Sequence, residues 1–104
     1  MNIAILGYGT IGKGVYEIAK GHSLINVIKI LERKEKFDKD IINLFTSDIN
    51  EIINDENIDL VVEVLGGYDF AVNCIKSSLK AKKHVVTANK EIIAKDIDEL
   101  LELA

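Results

Sequence analysis

The chain has little that would hold a fold together covalently or anchor it anywhere. Cys74 is the only cysteine among 104 residues, which excludes an intrachain disulfide and an all-cysteine metal cluster, so packing must carry the fold. No uninterrupted apolar run is longer than the four residues Ile3 to Leu6, against the roughly 20 that a membrane-spanning helix needs, and no bilayer crossing is expected. Met1 leads at once into an apolar strand, without the basic region, longer apolar region and small-residue cleavage site of a targeting segment; a cytoplasmic location is the expectation. Acidic residues outnumber basic ones 17 to 13, for a formal net charge of -4. That argues against a nucleic-acid partner, which needs clustered Lys and Arg, but leaves room for one phosphate pocket. Proline is missing altogether where about 5% is usual, an absence that excludes no function.

What is present is a regular alternation of strand-like and helix-like segments. Apolar residues make up 48% of the chain, enough for one buried core and not for two domains. Asn2 to Leu6 reads as a buried strand, followed by a glycine-rich turn and a helix in which Ile11, Val15, Ile18 and Ala19 would form one apolar face before a stop at Gly21. Ile25 to Leu31 is rich in β-branched residues and reads as a second strand. The mixed-charge run Glu32 to Asp40 reads as a solvated loop and helix face. Leu44 to Thr46 is a short third strand, and Asp48 with Glu51 has the spacing of a capping box for a helix carrying Ile49, Ile52 and Ile53. Ile58 to Leu65 is the fourth strand, broken by Gly66 and Gly67.

Asp69 is placed to cap the next helix, with Ala71, Cys74, Ile75, Ser78 and Leu79 inward and a basic end at Lys80, Lys82 and Lys83. His84 to Ala88 is the fifth strand, and Asp96 with Glu99 marks a last helix with Ile97, Leu100, Leu101 and Ala104 inward. Right-handed crossovers then imply an α/β fold of the Rossmann type: a doubly wound parallel sheet of order 3-2-1-4-5 with helices on both faces.

The most informative feature is GYGTIG, where Gly7, Gly9 and Gly12 form G-x-G-x-x-G between the first strand and the first helix. The first glycine permits the tight turn, the second admits a pyrophosphate to the backbone, and the third lets helix and strand pack closely. Free N–H groups and the partial positive charge at the helix start bind a diphosphate without a basic side chain. Cofactor choice belongs near the end of the second strand, where Glu32 and Arg33 both stand. A carboxylate accepts the ribose hydroxyls of NAD, whereas a guanidinium pairs with the 2′-phosphate of NADP, so the cofactor is NADP or NAD. Arg33 is either that cation or an exposed loop residue.

Two further segments narrow the field: VVEVLGG at Val61 to Gly67, and KHVVTANKEIIA at Lys83 to Ala94. With ILGYGTIGKGV and FTSDINEIINDENIDLVVE they make essentially the whole chain resemble the N-terminal domain of homoserine dehydrogenase. The resemblance implies an NAD(P)-binding domain over 1–104, expected to be a fragment of a longer enzyme whose dimerisation and substrate-binding catalytic regions are absent. The implied reaction interconverts homoserine and aspartate semialdehyde, on the route to threonine and methionine, in an enzyme that is a homo-oligomer at full length. It assigns Gly7, Gly9 and Gly12 to the pyrophosphate turn with Thr10 and Ile11 at the helix start, and Arg33 to the adenosine ribose. Gly66 and Gly67 would let the cofactor lie close over the fourth strand, and Thr87, Ala88 and Asn89 would flank the nicotinamide. Lys90 would position substrate or move a proton. Where many members carry a proline-containing acidic loop, this chain has KEKFDK at Lys34 to Lys39, which loosens the alignment of Arg33.

Physical reasoning stands beside these assignments. Lys90 follows a strand at the carboxyl edge of the sheet, where open α/β folds bind ligands, though a surface lysine opening a helix would look the same. Glu63 inside an apolar strand is costly unless paired; it either pairs with a backbone or Lys group or reaches solvent at an edge, and no catalytic role is expected of it. Cys74 reads as a packed thiol, and the isolated His22 and His84 suggest no metal site. Tyr8 either covers the diphosphate or faces solvent. The rival enzyme is an L-aspartate dehydrogenase, disfavoured by the TANK segment Thr87 to Lys90; the rival of another class is a regulatory nucleotide-sensing module, disfavoured by Arg33 and Lys90.

Overall fold

Five segments rich in β-branched residues pair side by side, as their near-continuous apolar character requires of strands covered on both faces. The computed structural model describes residues 1–67 and 69–88. In it the elements run β1 (Asn2–Leu6), α1 (Thr10–Lys20), β2 (Asn26–Leu31), two 3-10 segments (Lys34–Lys36 and Lys39–Leu44), β3 (Phe45–Thr46), α2 (Asn50–Ile53), β4 (Leu60–Glu63), α3 (Asp69–Lys80) and β5 (His84–Thr87). All pairings are parallel, and the order is β3-β2-β1-β4-β5, as expected. The last expected helix, at 96–104, lies outside the described residues.

β1 is the axis of the sheet: Ile5 pairs with Ile30 of β2 on one side and Val62 of β4 on the other. Its alternation divides the core. Ile3 and Ile5 join Ala19, Ile30 and Phe45 on the face covered by α1, while Ala4 and Leu6 join Leu31, Ile52, Val61 and Cys74 on the face covered by α2 and α3. Each fully buried Ile or Leu contributes about 1.5–3 kcal/mol relative to exposure, so the sheet's central strands hold most of the apolar stabilisation.

α1 lies on the sheet by only part of the face its apolar spacing indicates: Val15 and Ala19 are on the inward side, Ile11 and Ile18 are not. Ile11 and Ile18 are 59% and 76% exposed, and the inward positions are Gly12 and Ala19, flanked by half-buried Val15 and Tyr16. The cause is Gly12: a β-carbon there would stand 2.1 Å from the Gly7 carbonyl oxygen, so the helix seats on its glycine and turns the larger isoleucines outward.

Three local expectations are also revised. Around α2, Asp48 Oδ1 accepts from Asn50 N at 2.9 Å, but Glu51 reaches the Thr46 hydroxyl (2.6 Å) rather than Asp48, and that hydroxyl accepts the Asp48 N–H at 3.1 Å. A threonine has entered the capping box. Asp69 is the first residue of α3 rather than a cap before it. Lys83, expected at the basic end of α3, is buried beyond it, and its ammonium donates to the carbonyls of Asp55 and Ile58 at 2.7 and 3.0 Å. It ties the loop before β4 to the start of β5, its charge satisfied by two peptide dipoles. Lys82 precedes it at φ 63, the left-handed position that closes many helices.

Two glycines of one helix should respond oppositely to alanine. Gly12→Ala forces a β-carbon against backbone and should cost at least about 2 kcal/mol, whereas Gly14→Ala, with nothing within 4 Å, should stabilise by about 0.5–1 kcal/mol. Chemical denaturation of the two variants checks this; equal effects would refute the seating of α1 on Gly12.

Candidate dinucleotide site

The site forms where β1 stops and the chain must reverse. Gly7 makes the turn at φ 104, donates its N–H to the Leu31 carbonyl at 2.9 Å, and leaves no room for a side chain because Val64 O would lie 2.9 Å from its β-carbon. Gly9 meets nothing within 4 Å. The three glycines thus divide the work that their spacing implies: Gly7 turns, Gly12 packs, and Gly9 keeps open space. The first bond within α1 runs from Lys13 N to Gly9 O at 2.9 Å, and no side chain caps the helix. Its first-turn N–H groups, those of Thr10 and Ile11 among them, therefore lack intrahelical acceptors and carry the positive end of the helix dipole.

A cleft of about 520 Å³ opens beside this turn, at the carboxyl ends of β1, β2 and β4; Gly7, Gly9, Glu32, Arg33, Gly66 and Phe70 are among its lining residues. Glu32 and Arg33, equivalent in the sequence, are not equivalent here. Glu32 accepts the Tyr8 N–H on Oε2 and the Arg33 N–H on Oε1, both at 2.9 Å, which fixes a carboxylate against the glycine turn. The Arg33 side chain is 68% exposed on the rim, with Nε 3.7 Å from Glu35. Lys36 stands on the same rim.

The side chain of Tyr8 neither covers the turn nor faces solvent. It is buried on the α1 face, edge-on to Phe45 at 5.1 Å and to Tyr16 at 6.2 Å, and burial, with the charge of Asp38 second, pushes its hydroxyl above the usual pKa of 10.0. Its backbone N–H is the group that Glu32 holds at the turn.

The remaining assigned residues are dispersed. Thr10 and Ile11 are exposed at the helix start, and Gly67, at φ 87, follows Gly66 beyond β4. Thr87 and Ala88 stand at the end of β5 and are absent from the cleft lining. Thr87 donates its hydroxyl to Glu63 Oε2, Leu65 N donates to Glu63 Oε1 at 2.8 Å, and Ala88 N donates to the Glu63 carbonyl at 3.2 Å. Glu63, fully buried, thus clamps the ends of β4 and β5 together, paired with a backbone N–H and a threonine hydroxyl rather than reaching solvent. Asn89 and Lys90 lie outside the described residues. Cys74 is buried and its thiol is pushed up to about 11 by burial, with Glu63 second, so it is inert at neutral pH. Among the described residues no group of His, Cys, Asp and Glu could hold a metal ion, and no helix is long and apolar enough to cross a membrane.

Phe70 had not been singled out by its sequence. It lines the cleft at 55% exposure, and the available signal was its place off the inward stripe of α3.

A glycine turn feeding an uncapped helix, with a carboxylate held at the end of the neighbouring strand, defines an α/β dinucleotide-binding domain of the Rossmann type. Comparison with known proteins agrees. Residues 7–104 match the family model described as the NAD-binding domain of homoserine dehydrogenase, and the chain belongs to that family. The homoserine dehydrogenase of Bacillus subtilis (strain 168) is 34% identical over 97% of this chain and 26% of its own length. Crystal structures of homoserine dehydrogenases from S. aureus and Thiobacillus denitrificans superpose with TM-scores of 0.86 and 0.89 at 38% and 28% identity; each match covers 100% of this chain, and 30% and 27% of those chains. The chain thus spans about a quarter of the length of the curated relatives it matches.

The grip of Glu32 on the turn has a direct consequence. Glu32→Ala should speed amide exchange at Tyr8 and Arg33 while the β1 amides keep their protection, and should cost about 1.5–3 kcal/mol, the range for a hydrogen bond to a charged group. Unchanged exchange at Tyr8 by NMR would show that the carboxylate does not hold the turn.

Proposed function

We propose that this chain is the cofactor-binding domain, over 1–104, of an NAD(P)-dependent homoserine dehydrogenase, and that it favours NAD. The observation that carries the reading is the pairing of an open helix N-terminus at Gly9 with a fixed carboxylate at Glu32. When bound, the cofactor supplies a nicotinamide ring that takes hydride from the alcohol carbon of homoserine or returns it to aspartate semialdehyde. The chain's own residues do the rest of the holding. Gly9 admits the diphosphate, the first turn of α1 neutralises it, and Glu32 accepts the ribose hydroxyls with the lone pairs left after Tyr8 and Arg33.

A 2′-phosphate would meet that carboxylate as a like charge, which sets NADP at a disadvantage that the exposed Arg33 and Lys36 only partly offset. Lys90 is proposed to bind an oxyanion of the substrate rather than act as base, since an ordinary lysine titrates at about 10.4 and is protonated at neutral pH. The partners of the substrate's amine, and any homo-oligomeric contact, fall to the three quarters of the relatives' length that this chain does not span.

Titration calorimetry should give NAD binding to the chain, at least about tenfold tighter than NADP, a difference of about 1.4 kcal/mol. Gly9→Val should abolish binding without lowering the melting temperature, because its side chain enters open space. Glu32→Gln should narrow the NAD to NADP ratio. A Gly9→Val variant that binds as the wild type does would remove the glycine turn from the reading; a tighter grip on NADP would reverse the assignment of Glu32 and Arg33. Homoserine with saturating NAD should yield no steady NADH from the chain alone, since positioning worth roughly 7–11 kcal/mol of barrier is not provided by Lys90 by itself. Turnover lost on Lys90→Ala would contradict this.

A further inference from the structure

The dinucleotide cleft takes up the carboxyl edge of the sheet. A second cavity, of about 620 Å³, opens at the amino edge, where Ile58 and Asp59 lead into β4 and Lys83 and His84 into β5. It shares no lining residue with the first. Among its lining residues is a buried charge, Lys83, 6% exposed. An ammonium has three donors. The carbonyls of Asp55 and Ile58 take two of them, and among the described residues no third acceptor meets it. Two bonds therefore hold this cation still, with one donor to spare, in the wall of an open volume.

Its surroundings select the kind of ligand. Lys82, exposed beside it, adds a second positive charge, and does so at φ 63, a backbone position that glycine occupies at least cost. Glu56 and Asp59 also line the cavity. Both are exposed to water that screens them, and Asp59 Oδ2 is engaged by Asn2 N at 2.9 Å. These carboxylates oppose a second negative charge without cancelling the buried ammonium. Ile53, Ile58 and Ala81 make the apolar part of the wall. We propose that this cavity binds a small organic monoanion, a carboxylate on a short aliphatic stem. Lys83 donates to the carboxylate, Lys82 adds its charge from the solvent side, and the three apolar residues pack on the stem. The site stands apart from the dinucleotide reading and does not rest on it.

The test is a titration of the isotope-labelled chain by NMR, reading the backbone amides and the Lys83 ammonium. Butyrate is the probe, with n-butanol, succinate and inorganic phosphate for comparison. Butyrate should shift the Lys83 ammonium and the amides of Ala81 to His84 while Gly9 and Thr10 stay unmoved. Butanol, a stem without a charge, should shift none of these; succinate, with two charges, and phosphate, without a stem, should bind more weakly than butyrate. Lys83→Met should weaken butyrate by more than about tenfold, as loss of a hydrogen bond to a charged group requires. If that variant melts early, Ala81→Leu fills the volume while keeping Lys83 and its two carbonyls, and should abolish the same shifts. Lys82→Gly separates binding from folding: it should raise the melting temperature by relieving the left-handed position, yet weaken butyrate by roughly two- to fivefold. Butyrate shifts confined to Gly9 and Thr10, equal shifts with butanol, or binding that survives both Lys83→Met and Ala81→Leu would overturn the proposal.

Discussion

Everything at the site depends on the contact between Gly7 and Gly12. The first turn of α1 presses on the carbonyl at the end of β1 so closely that even a methyl group is excluded. That contact sets the height of the helix above the sheet and the direction of its N-terminus. It also chooses which side of α1 faces the core, at the expense of leaving two isoleucines in water. A helix seated on a larger residue would ride higher, and its unpaired N–H groups would no longer point over the turn. Packing and anion binding are here one constraint, because the same glycine that closes the core aims the dipole.

Two carboxylates at the carboxyl edge of the sheet show how burial separates structural from ligand-facing roles. Glu63 is fully buried at the end of β4, and both its oxygens are engaged, by Leu65 N and by the Thr87 hydroxyl. A buried carboxylate met in this way joins strands and has no approach for a ligand. Glu32, at the end of β2, is bound by two backbone N–H groups in much the same manner, but it is only half-buried and it lines the cleft. The backbone donors hold it still, and solvent access leaves its remaining lone pairs available. Identical side chains thus stand differently at two strand ends: Glu63 closed in between β4 and β5, Glu32 open to the cleft.

The order of elements was legible in the sequence because apolar blocks, glycines and capping residues alternate with little ambiguity, and the parallel order follows from right-handed crossovers. The glycine turn was legible for the same reason. The outward turn of Ile11 and Ile18 was not, since a search for apolar side chains gives no weight to glycine, and here the glycine is the contact. Nor was the fate of Lys83: a lysine after a helix end reads as solvated, and only the loop before β4 brings two carbonyls to it. Glu32 and Arg33 could not be ranked from their types, because both chemistries serve adenosine ribose. Their ranking rests on the Tyr8 N–H, a donor that every residue but proline possesses and no side-chain pattern reveals.

An acidic domain that binds a dianion is consistent once the source of attraction is traced to the backbone. Side chains sum to a net charge of -4, and the cations that line the cleft among the described residues, Arg33 and Lys36, are exposed to water that screens them. The attraction that acts at contact distance comes instead from peptide N–H groups in a turn that no side chain obstructs. Such dipoles need no counter-ion and undergo no titration near neutral pH, so they bind phosphate without calling for a basic surface that would also attract nucleic acid. A fixed carboxylate beside them then adds what the dipoles lack, a preference among anions. Such a carboxylate can accept hydrogen bonds from a neutral diol and would meet an added phosphate as a like charge.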